Sequence, residues 1–97
     1  MIIVTGSVTA RADSFDALRQ ESLDHVARSR LEPGCLLHSV QVDCENPLRL
    51  VFVEHWADKA ALDLHFKQPG SAKLMRAIAA LSSENTGTAI FDAAPLT

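Results

Sequence analysis

Tyrosine is absent from the chain, so no phenolic hydroxyl is available to any site it builds. Only two cysteines occur, Cys35 and Cys44. A mostly extended segment would hold them about 30 Å apart at ~3.3 Å per residue, well beyond the ~7 Å a disulfide tolerates. Two free thiols, and an opening "MIIVTG" with neither basic leader nor long apolar run, lead us to expect a reducing, cytoplasmic setting. No stretch approaches the ~20 apolar residues that cross a bilayer, so no membrane partner is expected. Basic charge is not in excess either: nine Lys and Arg stand against twelve Asp and Glu, a formal charge of −3. That gives no electrostatic case for nucleic acid. Four histidines are present, but without Cys-x-x-Cys or His-x-x-x-His spacing, and no metal centre is expected.

What the chain does have is apolar residues, 47% of 97. One domain over 1–97 fits that length. A domain this small buries only roughly 65% of the surface its unfolded chain exposes, and a second copy would cover the excess. "MIIVTGSVTA" alternates and predicts a strand with Ile2, Val4, Gly6, Val8 and Ala10 on one face. "DSFDALRQESLDHVARSRL" predicts a helix capped by Asp13, with Phe15, Leu18, Ser22, Val26 and Ser29 as its inner stripe and His25 at the edge. Pro33-Gly34 ends it. "CLLHSVQVD" and "LRLVFVEHWA" predict two antiparallel strands around the turn "ENP", the first with Leu36, His38, Val40 and Val42 on one face. Asp58 caps a second helix, "KAALDLHF"; Gln68-Pro69-Gly70 breaks it, "SAKLMRAIAALSS" resumes, and "TGTAIFDA" supplies a last strand. The order βαββαβ is that of an α+β, ferredoxin-like antiparallel sheet.

On the third strand Leu48, Leu50, Phe52, Glu54 and Trp56 share one face, and Val51 and Val53 the other. Helices cover one face of such a sheet, yet both are apolar. We therefore expect a two-fold homodimer through the open sheet face.

Three stretches, "RLEPGCLLHSV" (30–40), "VEHWADKAALDLHF" (53–66) and "QPGSAKL" (68–74), together resemble the antibiotic biosynthesis monooxygenase family, whose members include quinol monooxygenases. The resemblance implies a dimeric α+β barrel and a reaction needing no cofactor, neither metal nor flavin. In that reaction a quinol or polyketide-like phenol loses a proton and its anion reduces O2. Other members of the family degrade haem, isomerise small molecules or have no assigned role, so fold alone does not decide the reaction. Two features depart from the pattern. His38 stands where many relatives have a Tyr, and the first strand lacks the Asn that haem-degrading relatives carry, which demotes haem.

Such a reaction asks for an apolar cleft, a base with a pKa near neutrality and a donor for developing charge. His65 is the first choice for the base; the competing role is to tie its helix to a sheet carbonyl. Trp56 would stack on the substrate ring and donate its N–H, or be plain core. Glu54, costly to bury unpaired, would orient His65 or bond Trp56, or else pair with an Arg. His38, Phe52, Phe66, His25 and Ser22 complete the expected substrate lining. Against each stands ordinary packing, and for Ser22 close helix–sheet contact. Two other functions use the same residues: proton transfer in an isomerase, which would need a basic cradle, and a non-catalytic binding module. The latter is favoured if the cleft is closed and the rings of His38 and His65 both bond backbone.

Overall fold

A computed structural model describes residues 1–97. Its elements are β1 (Ile2–Ala10), α1 (Phe15–Ser29), β2 (Cys35–Asp43), β3 (Asn46–Trp56), α2 (Lys59–Phe66), α3 (Pro69–Leu81) and β4 (Ser82–Asp92). The strands form one antiparallel sheet in the order β2-β3-β1-β4. This is the ferredoxin-like α+β arrangement anticipated from the alternation of periods two and 3.6.

The pleat sorts the side chains. Pairing of Val4 with Glu54 and Ile90, and of Glu54 with His38, places one row on the helix side. The next row away holds Gly6, Phe52, Val40 and Thr88. Along β3 every second residue from Leu50 to Trp56 is buried. The main core joins Val8, Leu18, Leu50, Phe52, Leu74 and Ile78, and a smaller one joins Val4, Trp56 and Leu62. Opposite the helices, Ile3, Val51 and Val53 are partly exposed, while Leu37 and Phe91 keep 40% and 53% of their surface.

Two glycines set the strand and helix spacing. A Cβ on Gly6 would lie 2.8 Å from the Gly87 carbonyl oxygen, where β4 bulges against β1. Gly34 has φ +81°, and a Cβ there would meet that of Ala61 at 2.6 Å. It thus combines a left-handed turn at the entry to β2 with close approach of α2.

Four local expectations need correction. Ser14, not Asp13, occupies the start of α1, and its hydroxyl donates to the Leu81 carbonyl at 2.6 Å instead of capping an amide. Pro69 and Gly70 form the first turn of α3, since proline at the first helical position gives up only an N–H that has no partner anyway. β4 begins at Ser82 because Ser82 and Glu84 pair with Ala10 and Thr9, long-range bonds that local propensity does not encode. Leu36 is 60% exposed: the irregularity between Cys35 and Leu37 shifts it out of the inner row. Asp58 does cap α2, accepting from the Ala61 amide at 2.8 Å, and both cysteines are free.

Candidate active site

Four elements and one loop converge at the end of the sheet nearest α2. Glu54 and Trp56 are two apart on β3 and so share the inner face; the Trp56 indole donates to Glu54 Oε1 at 2.9 Å. His38, opposite Glu54 on β2, brings Nε2 within 3.3 Å of the same oxygen. The contact is close but poorly aligned, and neither ring nitrogen of His38 has a well-formed hydrogen bond. His65, from the last turn of α2, stacks on Trp56 with centroids 4.5 Å apart and sets Nε2 3.7 Å from Glu54 Oε1. Its Nδ1 lies 3.0 and 3.1 Å from the two oxygens of Glu32, in the α1–β2 turn. His25 enters from α1, its centroid 5.2 Å from those of His38 and His65.

This set is buried: His25, His38, His65 and Glu54 keep 4%, 1%, 2% and 8% of their surface. Burial in a dry region penalises whichever form is charged. Burial, and then the neighbouring His38 and His65, push His25 down to a pKa of about 4. Burial alone would raise Glu54. The His38 contact, the Trp56 hydrogen bond and His65 outweigh it, so Glu54 lies below the usual carboxylate value. At neutral pH the site therefore holds a neutral imidazole at His25 and a carboxylate at Glu54. The Cys35 thiol is pushed up by burial and by Glu32 and Glu54, which makes it a weak nucleophile.

An apolar cleft of about 120 Å³ opens beside this cluster. Val4, Gly6 and Phe52 line its sheet side, and Leu74, Met75 and Ile78 of α3 line the helix side; His25, His65, Glu54 and Phe66 also border it. An apolar cavity of roughly this size, about 150 Å³, accepts one benzene ring.

The sequence-derived candidates fall into two groups. His65, Glu54, His25, Phe52 and Phe66 border the cleft. Trp56 and His38 do not: both are sealed behind it, holding Glu54 and His65 from the rear. Ser22 is also no part of the lining; its hydroxyl donates to the Leu18 carbonyl within α1 at 2.7 Å, which satisfies it locally. Glu54 pairs with histidines and Trp56, not with an arginine. Glu32 is the member that sequence reasoning missed. Its position in the "EPG" turn was evident, but its partner lies 33 residues away.

Comparison with known proteins agrees with this architecture. A protein of Deinococcus radiodurans named after antibiotic biosynthesis monooxygenases superposes with a TM-score of 0.94 at 28% identity, over 100% of this chain and 96% of that one. A crystallised antibiotic biosynthesis monooxygenase gives 0.87 at 30% identity, over 98% and 100%. An uncharacterized Synechocystis protein is 34% identical over 68 residues, 70% of this chain; the match spans only 46% of that longer relative. The family model described as "Antibiotic biosynthesis monooxygenase" matches residues 1–77. The chain belongs to the antibiotic biosynthesis monooxygenase family.

Proposed function

We propose that this chain is a monooxygenase that oxidises a single-ring hydroquinone or phenol with O2, the substrate itself supplying the electrons, and that it works as a homodimer. The observation that carries the proposal is an apolar cleft of one-ring size bordered by His65, an imidazole held between two carboxylates.

His65 is better suited to accept a proton than His25, which burial holds neutral down to about pH 4. Glu32 accepts from His65 Nδ1–H, leaving Nε2 with its lone pair. Proton uptake at Nε2 creates an imidazolium that Glu32 and Glu54 balance. The substrate anion then reduces O2. One oxygen atom enters the ring and the other leaves as water, so that hydroquinone plus O2 becomes hydroxyquinone plus water. Leu74, Met75 and Ile78 give the cleft an apolar wall that disfavours water beside the developing charge. Glu54, at the cleft edge, and Trp56, behind it, act as positioning residues for His65.

The competing functions have less support. No Arg or Lys borders the cleft, so the anionic or polyol substrates of an isomerase lack a cradle. The cleft is partly open and the rings of His38 and His65 bond no backbone, unlike the arrangement expected of a purely structural pair. A volume of about 120 Å³ is also below the ~300–1,000 Å³ of pockets for larger ligands, which weighs against haem. The test is oxygen uptake with a panel of hydroquinones in chelator-treated protein. We expect turnover that falls by 10²-fold or more in His65→Gln; absence of uptake across the panel would refute the proposal.

A further inference from the structure

Three imidazoles from α1, β2 and α2 form a nearly equilateral triangle, with centroid separations of 5.2, 5.2 and 5.5 Å. Nothing in the linear spacing of His25, His38 and His65 suggests it. Buried polar atoms ordinarily find partners. Here His25 Nδ1 and both ring nitrogens of His38 have none that is well formed, inside residues that are 96% and 99% buried. One potential ligand atom from each histidine lies within 4.8 Å of the others.

We infer that His25, His38 and His65 form a binding site for one divalent transition-metal ion of the zinc, cobalt, nickel or copper kind. Three imidazoles on a tetrahedral ion at about 2.05 Å place their ring centroids about 5.2 Å apart. The triangle already matches this spacing. Bound nitrogens sit about 3.3 Å apart in that geometry, so the remaining adjustment is rotation of rings about their own axes.

The surroundings fit the same occupant. Glu32 lies 3.0 Å from His65 Nδ1; in the tautomer that donates to it, Nε2 keeps its lone pair for a metal. This is the carboxylate–histidine support that metal-ligating imidazoles commonly have. Glu54 Oε1 lies 3.3 Å from His38 and 3.7 Å from His65. With Glu32 it places two carboxyl groups around the three rings, a setting that suits a dication. All-nitrogen donors favour zinc, cobalt, nickel or copper over magnesium or calcium, which take oxygen ligands. Because His25 and His65 border the cleft, a fourth coordination position would face it and accept water or a phenolate oxygen. An ion would occupy the same His65 lone pair that the proposed base uses, so the two roles exclude each other within one molecule.

The experiment titrates chelator-stripped protein with Co2+ and Zn2+, reading visible ligand-field bands and calorimetric heat. One ion per chain should bind at micromolar Kd or tighter, with the strong absorption of four-coordinate cobalt. His25→Gln and His38→Gln should each weaken binding at least 10-fold, and Glu32→Gln by about 10-fold. His55→Gln, on the opposite sheet face, should leave binding unchanged. Circular dichroism of each variant separates lost ligands from lost fold. If a histidine variant unfolds, Zn2+-induced shifts of the ring signals of His25, His38 and His65 in the wild-type NMR spectrum replace it, and unmoved ring signals overturn the inference. The inference is overturned by absence of binding at 100 µM metal, or by binding that folded His38→Gln retains. Oxygen uptake is measured with chelator present, so either proposal can fail without the other.

Discussion

Acid should destabilise this protein through His25. In the unfolded chain His25 has its ordinary value of 6.5; in the folded chain burial and two neighbouring imidazoles bring it to about 4. The folded state therefore binds fewer protons than the unfolded state between those values, and stability rises with pH across the window. Full stability is present above about pH 6.5 and is lost as pH falls towards 4. The gap corresponds to about 3 kcal/mol at the low end of the window, and the loss from pH 7 to pH 5 works out at about 2 kcal/mol. Glu54, held below its usual value, loses its contribution only on further acidification, so it does not obscure this range. The perturbation is His25→Gln, which keeps a polar side chain of similar reach but cannot titrate. Urea unfolding at 25 °C, followed by circular dichroism at pH 7 and pH 5 with chelator and fixed protein concentration, measures both proteins. We expect the wild type to lose about 2 kcal/mol more than the variant between the two pH values, whatever the variant's stability at pH 7. Equal losses, within about 0.5 kcal/mol, would refute the assignment of His25 as a buried neutral base.

Other substitutions test the frame around the site. Gly6→Ala should cost about 1–3 kcal/mol in the same unfolding assay, because the new methyl meets a backbone oxygen of Gly87 that no rotamer change can move. Val53→Asp places a charge amid Ile3, Val51 and Leu37 on the helix-free face. It should shift the proposed dimer to a 10.5 kDa monomer in sedimentation velocity, and a wild type already monomeric at micromolar concentration would end the dimer proposal.

What the linear chain determined here is mostly periodic. Alternation in "LRLVFVEHW" assigns Phe52, Glu54 and Trp56 to one face whatever the partner strands do, because successive side chains of a strand point oppositely. The 3.6-residue stripe of α1 brings Leu18, Ser22, Val26 and Ser29 inward, with His25 beside them. Family motifs added the link from those faces to a cleft. Position along the chain was less informative where long-range bonds decide. Ser82 reads as helical but pairs with Ala10, and Leu36 reads as inward until the irregularity of β2 turns it out. The chemistry of the site depends on such distant contacts. Only the folding of α1 and α2 over β2 and β3 sets His25, His38 and His65 in one triangle, places Glu32 behind His65 and seals Trp56 away from the cleft. A side chain's face follows from local geometry, whereas its neighbours follow from how separate elements pack.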